Sequence, residues 1–239
     1  IVKREWIITF CRKMLERGIR CTWQLPSGTR SEAIDDEVVD LLYQSGCRNI
    51  SYAPESGSPR MLRRIRKQVK LPRMLVSMRG AVGRGLNVKA NILVGFPGER
   101  HSDVWRSLAF IFRMARVGVH DIHMQGYTPY PGAALYDELR ASGRLPAFGD
   151  AYCTSLVKAN AGVTDGISYS EHIGNRSLGL YRFAGFSLFY FVRYVLRPTA
   201  LWRMIGNIRR GVSESRGEQA LISFLERRAA DRMARAVVD

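Results

Sequence analysis

The chain of 239 residues is 46% hydrophobic and carries 37 lysines and arginines against 21 carboxylates, a formal net charge of +16. That composition is globular, excludes a disordered chain, and supplies a core for one domain with an appendage or for two small domains. The four cysteines, Cys11, Cys21, Cys47 and Cys153, lack the tight spacing of a zinc or iron-sulfur site. They read as buried small hydrophobes and hold no metal by themselves.

In chain order, Trp6, Ile7, Phe10, Met14 and Leu15 share one helical face, which predicts a helix over about residues 2–17, stopped by Gly18. Its start, with Lys3, Arg4 and Glu5, is unlike a secretory leader, and the expected compartment is the cytoplasm. Residues 20–25 read as a short strand and Pro26 to Arg30 as a turn. A helix from about Asp35, ended by Gly46, leads to a strand over residues 49–53. Pro59 then opens a helical run through Met61, Leu62 and Ile65, with proline at the first helical position. Arg60, Arg63, Arg64, Arg66, Lys67 and Lys70 alternate with those apolar residues, the pattern of an amphipathic helix with a basic outer face. Leu71-Pro72 introduces a second helix that closes at Gly83 to Gly85. Residues 88–94 are almost continuously apolar, which predicts a strand buried on both faces. A helix over about 102–116 ends at Gly118, a fourth strand covers 119–125, and Ala134, Leu135 and Leu139 mark another helix. The spacing of strand starts, about thirty to forty residues, is that of a right-handed strand-helix-strand crossover, so a parallel sheet follows.

Each strand delivers its unusual residues at its carboxyl end: Gln24 to Arg30, Glu55 to Ser58, Gly95 to Glu99 and Tyr127 to Gly132. Parallel α/β proteins bind ligands there. Glycine and proline permit close backbone approach, and Glu55 can accept hydrogen bonds from hydroxyl or ammonium groups. Capping of the next helix is the alternative reading of Glu55. No serine, histidine and aspartate are spaced for acyl transfer, no carboxylate pair shares a turn, and there is no P-loop. The glycine fingerprint of an open dinucleotide fold is missing too, since Gly80 to Gly85 precedes a strand instead of following one. His101, His120, His123 and His172 read as structural. The basic cluster lacks the aromatic interleaving of single-strand binders, so nucleic acid is not the expected partner.

Gly46-Cys-Arg-Asn-Ile-Ser-Tyr-Ala-Pro-Glu-Ser-Gly-Ser58 with Leu62, Ile65 and Lys67, then Gly95-Phe-Pro-Gly-Glu99, then Pro129-Tyr-Pro-Gly132, resembles the radical S-adenosylmethionine superfamily. It is most similar to the branch whose full-length members carry a cobalamin-binding domain before the radical domain. The resemblance covers about residues 2–146. It implies an α/β fold, a partial parallel (β/α) barrel whose strands three to six are the four found here, followed by a helical extension. The chain would then be a C-terminal fragment. By the same resemblance Glu55 and Ser56 would contact the ribose or methionine part of S-adenosylmethionine, Asn91 to Gly95 would flank the adenine, Tyr127 to Pro129 would touch it by backbone, and Arg30 would meet a carboxylate. Asn91 stands where the family often has glycine, Leu93 where it has isoleucine, and Ala133 where it has threonine. The C-x-x-x-C-x-x-C loop that holds the family's 4Fe-4S cluster is not in this sequence. The family's chemistry, cleavage of the sulfonium to a 5′-deoxyadenosyl radical and, in cobalamin members, methyl transfer, also implies an electron donor and a small-molecule or lipid-like substrate.

The strand grammar stops after Pro146, which places a first domain at 1–146 and a helical extension at 147–239. From about Glu171 the chain reads as helices broken at Pro198, Gly206, Gly211 and Gly217. The aromatic run from Leu178 to Leu196 is too short in its uncharged part to span a bilayer. Burial against the barrel is its first reading, because aromatics at helical spacing usually mean core. Peripheral membrane contact, helped by Trp202 and Arg197, Arg203, Arg209 and Arg210, is the other.

Overall fold

The structure is a computed structural model and describes residues 3–29, 34–160 and 166–236. Four strands, β1 (Trp23–Thr29), β2 (Cys47–Glu55), β3 (Asn87–Val94) and β4 (Asp121–Gly126), pair in the order 1-2-3-4, each parallel to its neighbour. Parallel neighbours require crossovers. These are α2 (Asp36–Gln44), then α3 (Pro59–Arg64) with α4 (Leu71–Gly83), then α5 (His101–Val117), while α1 (Arg4–Glu16) packs on α2. An order that never reverses, joined by crossovers of one hand, puts the helices on one face of the sheet. Accordingly α2 meets α4 and α4 meets α5. This is the wall of a parallel (β/α) barrel and not a doubly wound sheet, a choice the periodicity alone left open.

Local chemistry sets the element ends. Asp35 caps α2, its Oδ1 accepting from the Val38 N–H at 3.0 Å. Ser58 caps α3 ahead of Pro59 at the first helical position. Gly118, at φ +100°, closes α5.

One-sided helix packing overturns the expectation that β3 is buried on both faces. Val88, Ala90, Ile92 and Val94 are buried under the helices, in a core that includes Ile50, Tyr52, Met78, Ile111 and Met124, while Lys89, Asn91 and Leu93 on the other face are only half-buried. Register aligns that second face with Asp121, His123 and Gln125 of β4. Fully burying an Ile92-sized side chain is worth roughly 1.5–3 kcal/mol, so the helix face dominates strand stability.

Three further expectations change. β1 runs on through Thr29 where a turn was expected, with a register shift between Leu25 and Thr29 that accommodates Pro26, which has no N–H for the ladder. The basic run is not one helix: α3 stops at Arg64, and Arg66 adopts φ +54° while Lys67 N donates to Leu62 O at 2.8 Å. That bond, with Arg66 N to Arg63 O, closes the helix in a Schellman motif. Of the cysteines only Cys11 and Cys47 are buried, and burial pushes the Cys47 thiol up to about 11. Cys21 and Cys153 are exposed.

Beyond β4 come α6 (Ala134–Ala141), α7 (Asp150–Asn160), α8 (Asn175–Leu196), α9 (Pro198–Arg209) and α10 (Arg216–Ala236). Gly206 lies inside α9 and breaks nothing. The chain forms two compact units that divide between Phe189 and Tyr190. In the first, the start of α8 covers the edge of the sheet: Arg182 Nε donates to Met124 O at 3.2 Å, and Gly185 lies against Met124, Ile111 and Leu108. An uncovered strand edge invites pairing with other chains, and this contact blocks it. The aromatic run is therefore split, with Phe189 buried and Phe183 60% exposed. In the second unit α9 packs on α10, and Gly217 N donates to Tyr190 Oη at 2.9 Å. Among the described residues no helix is long and apolar enough to cross a membrane.

Candidate functional site

The last residue of β2, Glu55, sits at φ +64° where the turn begins, a left-handed conformation that costs a side-chain-bearing residue about 1–2 kcal/mol. Its surroundings enforce it. Ser56 is fully buried, with its hydroxyl 3.3 Å from that of Ser107 on α5, and Gly57 N donates to the same Ser107 Oγ at 2.9 Å. A Cβ on Gly57 would stand 2.4 Å from Arg106 O, so only glycine lets the turn sit this close to α5. Ser58 Oγ donates to Asp103 Oδ1 at 2.6 Å, and Arg60 ion-pairs with Asp103. Burial raises the Asp103 carboxyl, but Arg60, Ser58 and the Arg100 N–H outweigh it and hold the group below its ordinary value. Lys67, delivered by the Schellman closure, lies 3.1 Å from Glu55 Oε1. Glu55 Oε2 has no partner among the described residues.

The turn after β3 is folded around Glu99. Gly95, at φ +87°, and Phe96 donate their N–H groups to Glu99 Oε2 at 2.5 and 3.3 Å. The Glu99 side chain is fully buried, Oε1 has no partner among the described residues, and burial pushes the carboxyl up to about 7 against those two N–H donors. A strap just before α8 closes over this turn. Tyr169 N donates to Gly95 O at 3.0 Å, Ser170 Oγ to Glu99 O at 2.6 Å, and Gly98 N to Glu171 Oε2 at 2.7 Å. Arg144 anchors the strap by pairing with Glu171 and donating to Tyr169 O.

The turn after β4 joins the same rim. Tyr127 N donates to Val94 O at 2.7 Å, and its ring lies 4.7 Å from Phe96 and 6.1 Å from Tyr169. Met61, Phe96 and Tyr127, one from beyond each of three successive strands, share a cluster with Leu135, Leu139 and Tyr169. Segments that follow three successive strands thus converge on one packed apolar cluster.

Of the residues singled out in the sequence, Gly95 and Tyr127 belong to this convergence and Glu55 stands on the first of its turns. Ser56 faces α5 and spends its hydroxyl there. The Pro129 carbonyl accepts from Tyr152 Oη at 2.5 Å. Asn91 is half-buried beside His123 in register, and its side chain has no hydrogen bond among the described residues. Arg30 lies outside the described residues. His120 is structural, its Nδ1 accepting from Val88 N at 3.1 Å. The strap, Tyr152 and the Ser107–Asp103 anchor had no sequence signal, because each is joined to its turn only through tertiary contact. Among the described residues no three His, Cys, Asp or Glu side chains are grouped to hold a metal ion.

No protein-family model matches the chain. It is 25% identical over 147 residues to an uncharacterized methyltransferase of Pyrococcus horikoshii, covering 60% of this chain and 30% of that protein. It is 33% identical over 76 residues to cytidylyl-2-hydroxyethylphosphonate methyltransferase of Streptomyces wedmorensis, covering 31% and 14%. It is 26% identical over 110 residues to threonylcarbamoyladenosine tRNA methylthiotransferase of Thermotoga maritima, covering 44% and 25%. The chain therefore spans less than a third of the length of these relatives. Among solved structures, a radical S-adenosylmethionine methyltransferase from Kitasatospora setae with tryptophan and an S-adenosylmethionine analog bound aligns at a TM-score of 0.48 and 17% identity, over 58% of this chain and 27% of that one.

Proposed function

We propose that this chain forms the cofactor-binding wall of a radical S-adenosylmethionine enzyme, as the C-terminal part of a longer protein. The likeness rests on three turn motifs in register and on sequence similarity to methyltransferases and a methylthiotransferase, which also makes methyl or methylthio transfer the favoured reaction class. The observation that carries the reading is Glu55, held in a strained backbone at the end of β2 with one carboxylate oxygen unpartnered among the described residues, beside segments after β2, β3 and β4 that pack into one cluster. Strain maintained by a buried scaffold is characteristic of ligand-holding positions.

The residues present fit the nucleoside cofactor. Glu55 Oε2 is open to accept from ribose hydroxyls or the methionine ammonium, and Lys67 on Oε1 fixes the carboxylate's rotation. Asn91, half-buried and with no side-chain hydrogen bond among the described residues, offers an amide donor and acceptor on the face away from the helices. The turns at Gly95 and Tyr127 pack on each other through Phe96 and Tyr127, while Ser56 and Pro129 hold the turns in place. Bound beside a reduced 4Fe-4S cluster, S-adenosylmethionine supplies the radical chemistry of the superfamily. Cluster ligands do not fit here, since no metal-holding group occurs among the described residues. The reading assigns the cluster, its electron donor and any cobalamin to other parts of the enzyme.

The test is equilibrium binding of S-adenosylhomocysteine, a stable cofactor analogue, to the chain. Saturable binding that weakens about tenfold in Glu55→Ala is expected, the size of one hydrogen bond to a charged group. No saturable binding overturns the reading. Unchanged affinity in the variant removes Glu55 from it.

A further inference from the structure

We propose that the helical unit beginning at Tyr190 is an interfacial anchor that lies on an anionic membrane surface. Its apolar residues are distributed against the usual rule. On α10 the large apolar side chains Leu221, Phe224 and Leu225 are exposed among the described residues, at the i, i+3, i+4 spacing that normally turns inward, whereas Glu218 on the same helix is buried. Buried Glu218 has a local reason: its Oε2 accepts from Glu214 N and Ser215 N at 2.5 and 3.2 Å, capping the helix. On α9 Trp202 is 71% exposed, and Arg209, seven residues on, is exposed on the same helical face.

Charge selects the occupant. Residues 190–239 carry ten arginines and no lysine against five carboxylates. Arg209 and Arg227 have no ion pair among the described residues, and the Arg228 guanidinium sits 5.6 Å over the Phe224 ring. Arginine beside exposed tryptophan, phenylalanine and leucine suits the boundary between headgroups and acyl chains, where the guanidinium forks onto phosphate and the apolar groups insert. Leucines at 221 and 225 gain from a hydrocarbon layer but cannot stack on bases, which favours a bilayer over RNA. With no helix of the described residues able to cross a membrane, the unit lies on the surface. This inference stands independently of the cofactor reading.

Sedimentation of the chain with vesicles of phosphatidylcholine, alone or mixed with phosphatidylglycerol, tests it. Binding is expected to the mixed vesicles, to be weak on phosphatidylcholine alone, and to fall with added salt. Trp202→Ala with Phe224→Glu and Leu225→Glu is expected to lower partitioning about tenfold or more, and all three sites are solvent-exposed, so the fold tolerates them. Arg209→Glu with Arg227→Glu is expected to remove the anionic preference. S-adenosylhomocysteine binding should stay unchanged in both variants, which separates this proposal from the cofactor reading. Equal binding to both vesicle types, or triple-variant binding equal to the parent, overturns it. So does RNA binding that mixed vesicles fail to displace, or a dimer that the triple variant converts to monomer.

Discussion

After β2 the chain holds Glu55 half-buried in a left-handed backbone with one carboxylate oxygen open, whereas after β3 it buries Glu99 completely and spends Oε2 on the N–H groups of Gly95 and Phe96. Both turns end parallel strands of one sheet, and both bring a carboxylate to the same rim. The difference lies in what packs outside them. α5 supports the first turn from beneath, through Ser107 and Asp103, and leaves Glu55 facing outward. The strap at Tyr169 to Glu171 covers the second turn and ties off its carbonyls. A carboxylate at a strand end is therefore left partly open in one turn and made an internal brace in the other.

The largest expected effect breaks the support under the first turn. Gly57→Ala would drive a Cβ to 2.4 Å from Arg106 O and 2.6 Å from Ser107 Cα, backbone atoms that cannot swing aside. A loss of about 3 kcal/mol or more is expected, with weakened S-adenosylhomocysteine binding, read as a lowered urea midpoint. A midpoint within experimental error of the parent would show that the turn is not seated on α5.

Next is the pH response of the brace. Burial raises the Glu99 carboxyl from 4.5 to about 7, so the folded state favours the protonated form. Its contribution is full below the ordinary glutamate value and is lost as pH rises through about 7, an effect of up to about 3 kcal/mol. Stability measured between pH 4.5 and 8 should carry this decline in the parent, and Glu99→Gln should lack it. An identical pH slope in both would assign the decline to other groups.

The smallest effect sharpens the contrast. Glu55→Gly relieves the positive φ at the cost of a more flexible unfolded chain and a partly exposed ion pair to Lys67. Stability should stay the same or rise by up to about 1 kcal/mol while cofactor-analogue binding falls. Destabilisation by several kcal/mol would make Glu55 a structural residue like Glu99.

Much of this wall was legible from residue order. The positions of four strands, Pro59 at a helix start and Gly118 at a helix end follow from local preferences that act within a few residues. That the segments after successive strands lie at one end of the sheet could be anticipated too, because strand-helix repeats of one length imply parallel strands. Other features were not legible. Apolar Val88 to Val94 reads as doubly buried, yet half of it faces away from the helices, since burial depends on which side the crossovers take. Arg66 in a basic run reads as helix, yet it closes one. The hydrogen bonds that join Ser56 to Ser107 and Pro129 to Tyr152 leave no trace in residue order either.

Sequence by itself determined the parallel α/β grammar, the surplus of arginine and the presence of a carboxylate after β2. Only the tertiary structure decided which carboxylate stays open, which is sealed, and which aromatic side chains remain in solvent. Periodicity and turn chemistry act over a few residues. Access to a side chain depends on the distant segment that packs against it, and residue order does not record that segment's arrival.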